Sequence, residues 1–582
     1  MSVPRSILFA FPLFLVACSG MSERPAPTGE RYGGIFNFNE AKTLRNIFPP
    51  EVTSVSEQRI ASQIYEGLVA IDPKDLKVKP ALAEHWAVDS SGTVYTFDLR
   101  AGVRFHDDPA FPDGKGRELN AQDVAHCFTM VCTKGFGDNA YWLLQGKLLG
   151  ADEFHDGTNG VKSVSGIRVI NDRTVQFTLT DPDPNFLYGI AGAGCWIWPK
   201  ELTEAYGADP KGHAIGTGPF RLMETRPADA IVLQRNDHYW GVDEQGRPLP
   251  YLDGVRITLA PDREREVAEF MKGNLAMVSE LSLENIGLLT DSIEPKTGQR
   301  RFQSSSMPTL SVQFYGFNSS KPPFNDIRIR RAFALAIDRH MLVDSVLRGL
   351  AVAAEHGLVP PGFPSYPYAI VKGIPFAPDS ARKLLAAAGF PGGKGFPRVQ
   401  LQVNNLGFGY RETATFVQDA LARELGVGIT ISSVPDAEYY NRIERGSALF
   451  WREGWVADLP DPENFLALLD GRNAVTDTSL SSTLNTTRFA DPRYDALMRQ
   501  ASVGRSSEQR YTDLASAEAL AMRALPLIPL YHERSTQLTR PNVMGLHANA
   551  LELLDLRSTW FLNVPPGKAV AVSAQAAPMD HS

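Results

Sequence analysis

Cysteine is scarce, with 4 in 582 residues. One of them, Cys18, stands at the end of an N-terminal apolar run. Cys127, Cys132 and Cys195 remain, an odd number, so at least one thiol stays free or pairs outside this set. Cys127 and Cys132 are five residues apart on a predicted helix and do not stack on one face as i,i+4 neighbours do. No second Cys or His pair lies near them to complete a zinc site. Positive charge is not in excess. The formal net charge is −8 and there is no basic block, which argues against nucleic acid as a partner. No window approaches about 18 uninterrupted apolar residues, so no transmembrane helix is predicted. Catalytic signatures are missing as well. There is no Gly-x-Ser-x-Gly elbow, no His-Glu-x-x-His and no Gly-x-x-x-x-Gly-Lys-Ser/Thr loop. The 11 His contain no His-x-x-x-His pair, which weighs against direct nickel ligation. Asp107, Asp108 and Asp113 lack the spacing of an EF-hand loop. The sequence therefore points away from an enzyme and offers no metal or cofactor site.

What is present begins with an address. Met1–Arg5 carries one positive charge, and Ile7–Val16 is an apolar run of 10 residues interrupted by Pro12. That is too short to span a bilayer and suits a signal peptide, residues 1–17. Leu15-Val16-Ala17-Cys18 is similar to a bacterial lipobox, which implies that Cys18 becomes the lipidated first residue of the mature protein. Residues 18–30 are polar and rich in Pro and Gly, as a lipid-anchored linker would be. Residues 563–582 form a second low-order tail. A body of about 31–562 is too long for one core, so two or three domains are expected.

The first part of the body is strand-rich. Val94–Leu99 alternates with period 2, and Val103-Arg104-Phe105 reads as a following strand. Ile167–Ile170 and Thr174–Leu179 flank Asn171-Asp172-Arg173 as a hairpin. Between them, His106–Glu118 is a loop, and Asn120 caps a helix carrying Val124, Cys127 and Phe128 on one face. The second half alternates helix and strand. Asp326 starts a helix through Ile329, Phe333, Ala336 and Ile337 that runs on to Arg348-Gly349. A helix over Asp379–Ala388 stops at Gly389, and a strand over Val399–Val403 follows. A helix over Glu412–Leu425 stops at Gly426, and a strand over Val427–Ile431 follows. This order predicts α/β layers with a partly parallel sheet.

The segment Gly454-Trp455-Val456-Ala457-Asp458-Leu459-Pro460-Asp461-Pro462 joins an aromatic, a carboxylate and Pro-containing turns behind an apolar run. Read locally, Asp458 could simply start a turn. The segment also resembles the ligand-lining stretch of the oligopeptide/dipeptide/nickel-binding family of solute-binding proteins, family 5, the extracytoplasmic receptors of ABC importers. Other stretches resemble the same family in the same order: Ile64–Val69 (IYEGLV), Pro80–Trp86 (PALAEHW), Tyr95–Phe105 (YTFDLRAGVRF), Gly216–Phe220 (GTGPF), Asn236–Gly241 (NDHYWG), Lys321–Arg339 (KPPFNDIRIRRAFALAIDR) and Ala386–Phe390 (AAAGF). Together they reach across nearly the whole body.

The resemblance implies an α/β, two-lobed, hinge-connected fold with an extra β-rich domain. Lobe I would combine 31–71, 195–305 and 521–562, the extra domain would be 72–194, and lobe II would be 306–520, with crossings near 305 and 520. It implies short peptides as ligands, bound between closing lobes and delivered to a permease and its ATPase, with no cofactor. It also implies a monomer in the periplasm, held to a bacterial membrane through Cys18. Asp458 would pair with the peptide's α-ammonium group, because a buried cation needs a buried anion and losing one partner costs roughly 2–5 kcal/mol. Trp455 would wall the site, Arg452 would meet a ligand carboxylate bidentately, and Val52–Val55 would lie extended along the ligand, with Val55 in contact. Two departures stand out. Some relatives carry a disulfide where this chain has Ser311 and Val456, and peptide-specific relatives often have an aromatic at Leu459. A nickel chelate, an oligosaccharide or a cell-wall peptide therefore stays open as the solute, and a lipid-anchored sensor or chaperone stays open as the role.

Overall fold

The structure is a computed structural model. It describes residues 31–562 apart from 42–43, 45, 211, 227–229, 280, 282–284, 294, 296–297, 405–408, 476, 478–480 and 503–505. The signal peptide, the lipobox with Cys18, the linker 18–30 and the tail 563–582 lie outside the described residues.

Strands Ile35–Asn39, Gly254–Thr258, Ala230–Arg235 and Phe220–Arg226 form a four-stranded sheet in that order. Its register puts Phe36 opposite Val255 and Phe38 opposite Ile257. All four side chains are fully buried, so one face of the sheet is fixed to the core. A second sheet is antiparallel and orders Ala83–Val88, Val94–Leu99, Thr174–Thr178 and Ile167–Asn171. Tyr95, Phe97 and Leu99 point inward, as their alternation predicts. The helix Ala121–Val131 packs on this sheet and begins with the expected cap. Asn120 accepts from the Gln122 and Asp123 N–H groups, and Asp123 completes a capping box. The two sheets share a single apolar cluster that includes Phe36, Phe97, Phe128, Trp198 and Val255.

Val103–Phe105 is not a strand. Only an isolated bridge, Arg104 to Glu118, closes the neck of the loop there. The turn-rich loop that follows spends its polar groups on itself, as in Gly116 N to Asp107 Oδ1 at 2.9 Å, and extends no ladder. All three internal cysteines are free and buried. Burial pushes the Cys132 thiol up to about 12 and raises Cys127 and Cys195 as well, so none is poised to react.

The remaining strands build an eight-stranded mixed sheet. Val399–Asn404 runs parallel to Ile429–Val434 and to Phe450–Val456, while Ser311–Phe317 pairs antiparallel with Phe450–Val456 and Leu527–Thr539. Helices Pro378–Ala387 and Tyr410–Leu425 end as expected. Gly389 follows the first with φ 99° and Gly426 caps the second with φ 67°. The helix after Asp326 is shorter than its periodicity predicts. Ile327–Leu335 stops at Ala336, because Asp338 caps a new turn by accepting from the Met341 N–H. The strand expected from Val427 begins at Ile429.

One strand joins the halves of the molecule. Leu527–Thr539 is 13 residues long. Leu527–Glu533 pairs with Ser311–Phe317 and Ala351–Ala353, and Arg534–Thr539 pairs with Gln303–Pro308 and Met277–Val278. The pairing partners of this strand thus change between Glu533 and Arg534. Helix Ser507–Ala524 shares an apolar cluster with Leu527 at the start of this strand.

Candidate functional site

A cleft of about 730 Å³ opens between elements far apart in sequence. It is lined by Val69–Ile71, Trp142 and Tyr188, by Val456–Pro460, and by Ala550–Asp555. Trp142 is 45% exposed and Val456 57% exposed, so large apolar groups face the opening. Size and lining match a pocket that buries a small, mostly apolar ligand.

Asp458 is part of this lining, just past the end of strand Phe450–Val456. Asn464 holds the loop. Its Oδ1 accepts the Asp458 N–H at 3.2 Å and the Trp455 indole N–H at 2.7 Å. The loop is also fastened from beneath, where Arg510 donates to Asp461 Oδ2 at 2.5 Å and Oδ1 at 2.8 Å, and to Glu463 Oε2 at 2.6 Å. Arg510 and Asp461 are both buried, so this bidentate pair fixes the loop's backbone. The Asp458 residue is open to the cleft, yet the protein around its carboxyl displaces water. That loss of solvation pushes its pKa up, and a hydrogen bond from Asn464 partly opposes the shift. No cation among the described residues acts on it.

The other expected contacts lie elsewhere. Trp455 is behind the wall. It packs against the apolar cluster of Val312, Phe314 and Phe465, and its one N–H is spent on Asn464. It supports Asp458 instead of walling the cleft. Arg452 is also outside the cleft lining and only 8% exposed. It donates to Gln313 and to Asn404 Oδ1, and its guanidinium carbon lies 3.4 Å from the centroid of the Tyr410 ring. Its two terminal nitrogens are thus engaged by neutral acceptors inside the sheet, away from the cleft lining.

Val55 does line the cleft, but as the first residue of helix Val55–Ala61 and not as extended chain. Ser54 caps that helix in a capping box with Glu57. The N–H groups of Thr53 and Ser54 both donate to Glu57 Oε2, and that of Val52 to Pro49 O. The N–H groups of Val52, Thr53 and Ser54 are thus engaged and are not free to pair with an added strand. Ser311 and Val456 are directly opposite one another across the sheet, so the places of the relatives' disulfide are cross-strand neighbours here too.

Sequence reading missed Asn464, Arg510 and Glu66. Glu66 lies in the cleft wall, and its carboxylate accepts from Tyr239, Trp240 and Thr217 at 2.8–2.9 Å. These partners are up to 174 residues apart, beyond the reach of any local pattern. Asp461 reads as half of an Asp-Pro turn, and only its pairing with a residue 49 positions away shows that it is an anchor.

Residues 77–477 match the family described as bacterial extracellular solute-binding proteins, family 5 middle. The chain is 25% identical over 552 residues to heme-binding protein A of Haemophilus influenzae, covering 92% of this chain and 95% of that one. It is 29% identical over 433 residues to the dipeptide-binding protein of Escherichia coli, covering 72% and 76%. A solved structure of the periplasmic binding protein DppA from Helicobacter pylori, in complex with the peptide STSA, superposes with a TM-score of 0.70 at 23% identity, over 92% of this chain and 99% of that one. The shared fold is α/β and two-lobed. This chain belongs to the family 5 bacterial extracellular solute-binding proteins.

Proposed function

We propose that this protein is the extracytoplasmic receptor of an ABC importer and binds short peptides through their amino terminus. The observation that carries the reading is Asp458, a carboxylate lining the cleft on a loop that Asn464 holds directly and Arg510 fastens through Asp461 and Glu463, with no cation of the described residues acting on it. An α-ammonium group completes such a site. The names of the relatives support peptide as the ligand class. Lobe I would be about 31–71, 195–305 and 534–562, the β-rich domain 72–194, and lobe II about 306–533, with the strand Leu527–Thr539 as one of two crossings. Closure would bury the ligand and give a permease one shape to recognise. A monomer anchored in the periplasm through Cys18, with a binding and not a catalytic role, fits this reading. Asp458 is then the ligand-binding residue, with Trp455 supporting its loop through Asn464.

Titration calorimetry with trialanine tests the pairing. Asp458→Ala is expected to weaken binding by roughly 30- to 3,000-fold, from about 2–5 kcal/mol. The carboxyl's pKa is raised in the free protein, so ionised Asp458 is lost as pH falls, at a higher pH than for an ordinary aspartate. Wild-type affinity should fall with it, and Asp458→Asn should remove that dependence. Unchanged calorimetry for Asp458→Ala would take Asp458 out of the site.

A further inference from the structure

Leu76 sits at the turn of the hairpin Val69–Ile71/Val78–Pro80. Its backbone is left-handed, φ 59°, a region disfavoured for a residue with a Cβ. The turn around it is closed by its own bonds. Leu76 N donates to Asp72 O at 2.8 Å, Asp72 N to Lys77 O at 2.8 Å, and Lys74 N to Asp72 Oδ1 at 2.9 Å. What the conformation achieves is placement. Leu76 is only 4% exposed, and it belongs to the apolar cluster of the mixed-sheet half that holds Leu310, Val312, Phe314 and Phe465. Val69, at the base of the same hairpin, belongs to the other core, with Phe36 and Phe97. The hairpin thus crosses the molecule, and its strand Val69–Ile71 lines the cleft on the way.

A second contact spans the same gap. Asn185 Nδ2 donates to Glu463 Oε2 at 3.4 Å, across 278 residues. Glu463 is held by Arg510 and is the neighbour of Asn464, which positions Asp458. One short loop therefore carries the cleft carboxylate, its clamp and a contact to Asn185.

We propose that Leu76 and the Asn185–Glu463 contact form a clasp that holds the mouth of the cleft shut, with the β-rich side of the molecule acting as a jaw. The proposal rests on the two-lobe reading above. A strained backbone is retained where the surroundings over-determine it, and a leucine seated in the facing core is such a surrounding. Removing the side chain empties the socket while leaving the hairpin's own bonds intact, so the closed state loses more than the open one.

The test is a distance measurement between spin labels at Lys74 and Arg499, two exposed positions on either side of the contact, ligand-free and with excess trialanine. Wild type is expected to show a short, narrow population. Leu76→Ala should deplete it about tenfold relative to the open one, and Leu76→Met should restore it. If Leu76→Ala loses its cooperative melt, Asn185→Ala carries the test with the same readout and a smaller expected depletion. A short population retained in Leu76→Ala, or absent from wild type in both conditions, overturns the clasp. Failure of trialanine to bind would count against the peptide reading alone, because the ligand-free distances still decide the clasp.

Discussion

Glu266 carries a carboxyl almost wholly out of water, with its side chain 1% exposed and Arg263 Nη1 at 2.9 Å as an ionic partner. Burial pushes its pKa up from 4.5 to about 7. The folded protein therefore holds a proton that the unfolded chain has released, and stability falls as pH rises between about 4.5 and about 7. Wild type should lose melting temperature between pH 5 and pH 8, and Glu266→Gln should lose less; equal losses would contradict the assignment. His106 and His532 act in the opposite direction. Each is buried and pushed down to about 4, so stability is lost as pH falls from 6.5 toward about 4.

Arg452 is a second test at this scale. Removing it leaves Gln313 and Asn404 without their donor in the sheet. Arg452→Ala should cost about 2 kcal/mol or more in stability and leave trialanine affinity within about threefold. Loss of affinity without loss of stability would return Arg452 to the ligand. The sequence marks Arg452, Trp455 and Asp458 together because they share a strand and its exit. It does not say which way each side chain points, and of the three only Asp458, past the strand's end, lines the cleft. Asn464 and Arg510 have no sequence mark, since their value lies in partners the fold brings to them.

Single elements were the most legible part of this chain. Capping and stop signals are local, so Asn120, Gly389 and Gly426 mark helix ends correctly. Val103–Phe105 and the run past Ala336 misled because apolar periodicity continues where pairing does not, and in the second case because Asp338 offers a competing cap. The pairing of Ser311 with Val456 gives a prediction for the sheet. Directly opposed residues of antiparallel strands have Cα atoms about 4.5–5.5 Å apart, within the span of a disulfide. The double variant Ser311→Cys/Val456→Cys should oxidise to a crosslink without a change in fold, read as the loss of two titratable thiols. Both thiols remaining titratable after oxidation would refute the register.

Across the whole molecule, the strand Leu527–Thr539 pairs with Met277–Val278 and Gln303–Pro308 at one end and with Ser311–Phe317 and Ala351–Ala353 at the other. The division into lobes follows from resemblance, and the proposed second crossing rests on the change of pairing partners along Leu527–Thr539, which no composition change announces. The cleft sits beside that crossing, the clasp spans its mouth, and Asp458 waits in one wall. Native mass spectrometry of protein purified without denaturation, followed by acid release, tests the central claim most directly. The account predicts a ladder of peptide masses carried by wild type and largely lost from Asp458→Ala. A single non-peptide mass, retained equally by both, would contradict it.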